Sequence, residues 1–212
     1  AFPRAATASL RAAGRPMVAV DARIPGSDTV MAENRPAMTM LTRHLIEEHH
    51  YRRLACLAGP PSWPSTAERI AGIRAEARRT GAELRILHAR ETTMRDGAEI
   101  ATRLLDDRPD AILAVNDAMA IGALHRLRAV AADRRPAVTG FDDIAWAQLT
   151  DPPLTTVAVD AAAIGAEAAR LLIDRIGSPD QNSLPAREVR VPAALRLRRS
   201  CGCGGDIDSP PG

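Results

Sequence analysis

Residues Asp110–Val130 read DAILAVNDAMAIGALHRLRAV. The first part, through Val115, is an almost unbroken apolar run, the pattern of a strand covered on both faces. Asn116 and Asp117 then interrupt it, and the segment from Ala118 onward has the spacing of a helix. Asp117 reads as the helix N-cap, since a carboxylate there accepts the orphan N–H groups of the first turn. A strand that passes directly into a helix is half of a βαβ unit.

The same alternation extends in both directions. PMVAVD (16–21), RLACLAG (53–59), LRILHA (84–89) and PAVTGFDD (136–143) read as further strands. Residues 37–50, 67–81, 95–107 and 161–176 read as helices. In the second of these, Ile70, Ile73 and Ala77 fall on one face and Gly81 follows as a C-cap. The helix over 161–176 carries Ile164, Ala168, Leu171 and Leu172 as its stripe. REVRVPAALRLRR (187–199) alternates like an edge strand, which tolerates Pro192. Strands alternating with helices predict an α/β fold with doubly wound parallel sheets.

Composition narrows the function. The chain has 212 residues, 46% of them hydrophobic, enough for one sizeable core or two small lobes. Net charge is +2, so no strong field draws it to nucleic acid or a membrane. All of its cationic side chains are arginine, which excludes lysine Schiff-base chemistry and a phosphate-loop lysine. Aromatics make up 2%, too few for a base-stacking surface. No apolar stretch is long enough to span a bilayer, and the expected location is cytoplasmic. Cys56 reads as a small buried hydrophobe. Cys201 and Cys203, in CGCGG, could be half of a metal site but have no partner nearby in sequence, so 201–212 reads as a flexible tail. His44, His49 and His50 likewise lack a carboxylate or cysteine at ligand spacing and read as a solvated helix end. No metal site and no cofactor is assigned.

In an open α/β sheet, ligands bind beyond the carboxyl ends of the strands. That rule gathers the loop AGPPSWPST (58–66), the turn at Thr92, Asn116-Asp117 and Asp142-Asp143 on one rim. Ser65 and Glu68 form an S-x-x-E pattern, expected to act as a capping box. Arg69 follows Ser65 by one turn, so its fork can face the same rim. Trp63 offers a face for stacking, in competition with simple packing. Asn116 supplies both a donor and an acceptor. Of Asp142 and Asp143, one is expected to face the ligand and the other to brace the loop, because successive residues point opposite ways.

Together HLIEEHHYRRLACLAGP, AERIAGIRAEARRTG, AILAVNDAMAIGAL, GFDDIAWAQLTDPPLTTV and LRLRRSCG resemble the effector-binding domain of LacI-family bacterial transcriptional regulators, over roughly residues 16–201. The resemblance implies a two-lobe, periplasmic-binding-protein-like fold with the N-terminal lobe incomplete. Residues 1–30 would be the remnant of that lobe (its last helix and strand) and 31–157 the C-terminal lobe. Residues 158–182 would be the return helix and 183–200 the closing strand segment, with lobe crossings near RIPGSDTV, LTTVAVD and NSLPAREV. It implies effector contacts from Ser65, Arg69, Asn116 and Asp142, and places Thr92 where many sugar-responsive members carry a stacking aromatic. The expected function is non-catalytic sensing of a sugar-like small molecule. Operator DNA would be reached only through a headpiece outside this chain, in a homodimer, and the chain is expected to be a fragment of a longer regulator or the product of a truncated gene. Two alternatives stay open: a transport-type solute-binding protein of the same fold, and a Mg²⁺-dependent enzyme using Asp142 and Asp143. An incomplete N-terminal lobe also predicts that the helix over 162–176 is labile and 31–157 protected.

Overall fold

The computed structural model describes residues 8–9, 14–104, 106–178 and 185–204. The helix expected near the N-terminus and the tail beyond residue 204 lie largely outside these residues.

Strands β1 (Val18–Val20), β2 (Asp28–Ala32) and β8 (Glu188–Val191) form a parallel three-stranded sheet in the order β1-β2-β8. Strands β3 (Arg53–Ala58), β4 (Glu83–His88), β5 (Ala111–Ala114) and β6 (Ala137–Thr139) form a parallel four-stranded sheet in the order β4-β3-β5-β6. Helices α1 (Asn34–Glu47), α2 (Pro64–Thr80), α3 (Met94–Leu104) and α4 (Asp117–Leu127) cover this second sheet, and α5 (Ala161–Gly177) packs on the first. β7 (Thr156–Val159) pairs antiparallel with β9 (Ala193–Arg196). The fold is mixed α/β with parallel sheets, as the alternating pattern predicts.

Local chemistry explains most boundaries. The inner strands β3 and β5 are buried along nearly their whole length, which is why their sequences show no polar alternation. α2 starts with Pro64 at its first position and stops at Gly81, whose φ of 72° is left-handed. α3 and α4 cross closely because each presents a glycine at the contact. A Cβ on Gly97 would strike the Met119 backbone, and one on Gly122 the Met94 carbonyl.

Three expectations need correction. β2 was not anticipated as a strand: the segment was expected to hold a crossing, and the boundary at residue 31 falls inside it. Yet β2 is central to its sheet and buried throughout. Its polar start, Asp28, is matched by Arg175 and Arg187 from far along the chain. The last passage between sheets falls at Pro192, between β8 and β9, later than the expected 182–189, because Glu188–Val191 is already paired with β2. Residues 201–203 are no tail: Cys201 is fully buried and belongs to the core under the four-stranded sheet. No helix among the described residues is long and apolar enough to cross a membrane.

Candidate functional site

The strand order places a topological switch between β3 and β5, whose chains leave toward opposite sides of the sheet. Such switch points open a crevice at the carboxyl ends of the strands. Gly59, Asn116 and Asp142 follow the ends of β3, β5 and β6 there.

Arg69 is the centre of this rim. It rises from the second turn of α2 and is only 8% exposed. Its Nε donates to Asn34 Oδ1 at 2.8 Å and its Nη1 to the Val115 carbonyl at 2.6 Å. The guanidinium lies over the Phe141 ring, 3.7 Å from its centroid, a cation–π contact in a desolvated setting. Nη2 faces Asp142 Oδ1 at 3.5 Å. Burial depresses the Arg69 pKa while Asp142, Asp21 and Asp117 oppose that shift, so these carboxylates are what keep a buried cation tolerable.

Asp142 is held by its backbone. Its φ of 112° is unusual for a non-glycine residue, and its N–H donates to the Val157 carbonyl at 2.8 Å. Burial pushes its carboxyl up to about 6, with Arg69 pulling down and Asp21 pushing up. The side chain nonetheless keeps 39% of its surface open, so this carboxylate is the reachable end of the pair. Asp143 turns away: Arg198 donates to it at 2.8 Å, and Arg196 lies at 4.0 Å. The two acids therefore engage different arginines.

Asn116, not Asp117, is the N-cap of α4. Its Oδ1 accepts from Met119 N–H at 3.0 Å, and its Nδ2 donates to the Thr92 carbonyl at 3.0 Å. Asp117 is displaced from the cap because its carboxylate is taken elsewhere, by Thr156 Oγ1 at 2.5 Å and Ile144 N–H at 2.9 Å. Burial pushes the Asp117 carboxyl up to about 7 even though those two donors pull down.

The capping box on α2 does not form. Trp63 is the N-cap residue and contributes no side-chain bond, while Ser65 sits inside the helix, buried. Glu68 is instead held by Arg190 at 2.6 Å and Arg23 at 2.7 Å. Thr92 faces Gly59 closely enough that a Cβ there would strike its methyl group. The structure thus joins Arg69 to Asp142 and Asn116 to Thr92, with Ser65 one turn before Arg69. Among the described residues no hydrogen bond or ring contact links half-buried Trp63 to Arg69, Asn116 or Asp142.

Asn34 and Phe141 went unnoticed in sequence. Phe141 immediately precedes the acid pair, which could have signalled it; Asn34 resembles an ordinary helix-start residue and gave no such hint. A cavity of about 590 Å³ lined by Arg23, Glu33, Arg35, Glu68 and Arg190 borders the start of α2. Its walls include none of the six expected ligand residues, and three of its charges already pair with one another.

Residues 42–201 match the model of the periplasmic binding protein-like domain. The chain is 38% identical over 142 residues to the HTH-type transcriptional regulator CelR of Thermobifida fusca, covering 64% of this chain and 41% of that protein. It is 32% identical over 154 residues to the HTH-type transcriptional repressor CytR of Escherichia coli strain K12, covering 70% and 45%. The solved complex of transcriptional regulator CelR with cellobiose superposes with a TM-score of 0.79 at 30% identity, covering 90% of this chain and 60% of that one. The chain thus spans less than half the length of these two curated relatives. With three-quarters of its residues inside the family model and its parallel sheets matching the solved fold, this chain belongs to the periplasmic binding protein-like domain family, in the form found in LacI-type transcriptional regulators.

Proposed function

We propose that this chain is the effector-sensing part of a cytoplasmic LacI-type transcriptional regulator and that it binds a sugar or related polyhydroxylated metabolite without altering it. The observation that carries this is the Arg69–Asp142 pair at the carboxyl ends of the parallel strands. A carboxylate that only accepts, beside an arginine fork that only donates, suits vicinal hydroxyls, each of which does both. Both partners are fixed before any ligand arrives, Arg69 by Asn34, Val115 and Phe141, Asp142 by the Val157 carbonyl. Preorganisation of this kind lowers the cost of binding.

In this proposal Ser65, Arg69, Asn116 and Asp142 contact the effector, and Trp63 and Thr92 border it. Asn116 contributes its second amide hydrogen, since one is spent on the Thr92 carbonyl. The cellobiose complex of CelR supports the sugar class. Binding would alter the geometry of a homodimer and so the affinity of a separate DNA-binding headpiece, a coupling free energy between two sites.

The test is thermal denaturation against cellobiose, other sugars, sugar acids, polyols and ribonucleosides. A ligand at about 100 times its Kd adds about 2.7 kcal/mol. Asp142→Asn should abolish that shift. Because Asp142 is acceptor-only, and its hydrogen bonds strongest, when ionised, and burial pushes it up to about 6, wild-type affinity should be full above that pH and fall as pH drops through it, by up to about tenfold per unit. A shift that persists in Asp142→Asn and is flat between pH 5 and 7 would refute the site.

A further inference from the structure

We infer that His44, His49, Cys201 and Cys203 form a closed tetrahedral site for a thiophilic divalent cation, with zinc as the fitting ion. The four donor atoms lie within 4.8 Å of one another. His44 Nε2 and His49 Nε2 are 3.2 Å apart, and Cys203 Sγ is 3.4 Å from the first and 3.3 Å from the second. Cys201 Sγ is 3.8 Å from His44 Nε2.

These spacings are those of a coordination shell. With metal–sulfur bonds of about 2.3 Å and metal–nitrogen bonds of about 2.0–2.1 Å, tetrahedral geometry sets neighbouring nitrogens about 3.4 Å apart and nitrogen and sulfur about 3.6 Å apart. Hydrogen bonding accounts for the cluster less well. Two imidazole nitrogens and a sulfur in mutual contact form a triangle, so no single set of protons can point along all three edges near the required angle. One central cation satisfies all of them. Mixed sulfur and imidazole donors select zinc over magnesium or calcium, which prefer oxygen. Four protein ligands leave no open position, so the site is structural.

The surrounding residues hold the ligands in place. Thr155 Oγ1 donates to Cys201 Sγ at 3.1 Å, and Tyr51 Oη donates to the Cys201 carbonyl at 3.1 Å. The His49 ring stacks on Tyr51. Partners of this kind orient metal ligands. Between the cysteines Gly202 adopts φ 101°, a conformation L-residues rarely enter, and a Cβ there would meet Tyr51 Oη at 2.8 Å. The turn that brings Cys203 back beside Cys201 and the histidines therefore depends on that glycine. A bound ion would clamp the end of α1 to the chain just after β9, the strand paired with β7.

None of these four residues belongs to the proposed effector site, and the cluster can be titrated without effector. The reduced, chelator-stripped full chain is titrated with Co²⁺ and then Zn²⁺. The expected result is one equivalent of cobalt giving the intense visible bands of tetrahedral thiolate coordination, bleached by zinc. Zinc should also protect Cys203 from alkylation, with fully buried Cys56 as the unreactive reference within the chain. Cys203→Ser and His49→Ala should each weaken cobalt binding at least tenfold while circular dichroism remains that of the parent. A folded, reduced parent chain giving only weak octahedral cobalt bands would overturn the proposal. So would bands unchanged in the Cys203→Ser, His49→Ala double variant.

Discussion

The two parallel sheets are held together by different physics. The four-stranded sheet is buried on both faces by four helices, and its core runs continuously from α1 to Cys201. Among the described residues, the apolar cluster of the three-stranded sheet is small: Val30, Leu171 and Val191, with Ala19, Met31 and Ala32 buried on its strands besides. Its centre is instead electrostatic. Asp28 is wholly buried and accepts from Arg175 and Arg187, while the Arg187 main-chain N–H adds a bond at 2.8 Å. Along α5 only Leu171 and Arg175 are buried, and Ile173 and Ile176 are 67% and 63% exposed. Burial of apolar surface is non-directional and spreads its effect over many residues, whereas a buried charge network concentrates it in a few. One region should therefore tolerate a single loss and the other should not.

Asp28→Ala should break the comparison most sharply. It removes the buried carboxylate that Arg175 and Arg187 share, and breaking a buried ion pair from one side costs about 3–5 kcal/mol. In hydrogen exchange, amides of β2, β8 and α5 should lose protection while those of β3 and β5 keep theirs. Equal loss in both would mean that the sheets unfold as one unit and that the contrast has no energetic meaning.

Acid should act on the two regions in opposite directions. Burial pushes the Asp28 carboxyl up, but bonds from Arg175 and Arg187 overcome this and hold it well below the usual carboxylate range. Its contribution is therefore complete above about pH 4, the unfolded value, and lost as pH falls below that. Asp117 behaves in reverse: at about 7 in the folded chain, it holds a proton that the unfolded chain has already released. Between about pH 4 and 7 the folded state binds more protons at this site, so its contribution to stability declines as pH rises through that window. Asp117→Asn should reduce that slope in pH-dependent denaturation, leaving the part that Asp142 contributes below about pH 6, and should leave in place the acid limb to which Asp28, Glu68, Asp110 and Glu188 contribute. A slope unchanged in Asp117→Asn would assign it to another group.

What was legible in the sequence follows the same division. Strands β1, β3, β4, β5 and β6 and the helices between them were readable because apolar runs and 3.6-residue spacing are local signals of burial. β2 was missed because its first residue is a buried acid, and what makes that acid tolerable lies 147 and 159 residues away. The N-cap of α4 was misplaced by one residue for a similar reason: the Thr156 hydroxyl that claims Asp117 is 39 residues downstream. Asp142 is expected on the rim from its strand end and Arg69 from its helical spacing after Ser65; Phe141 has only its place before the acid pair to mark it, and Asn34, which also fixes Arg69, carries no local mark. His44 and His49 were set aside for want of a cysteine, and Cys201 and Cys203 for want of a partner. The fold brings the two pairs together across more than 150 residues, a proximity that neither stretch marks locally.

The smallest expected effect lies at the edge of the well-packed sheet. Thr139, at the end of β6, is completely buried, and its hydroxyl has no hydrogen-bond partner among the described residues. Around it the polar groups are matched: Ser200 Oγ donates to the Val138 carbonyl, and Thr155 Oγ1 lies 2.9 Å from the Arg198 carbonyl. A hydroxyl removed from water without a partner costs free energy that a methyl group of the same shape does not. Thr139→Val should thus raise stability by about 1 kcal/mol, or about 2–4 °C in Tm for a chain of this size. A gain would show that the apolar region still has room to improve by the rule that built it. A loss would show that the Thr139 hydroxyl is paired in solution, through a bound water, and that the polar layer joining β6 to the segment after β9 reaches one residue deeper into the core.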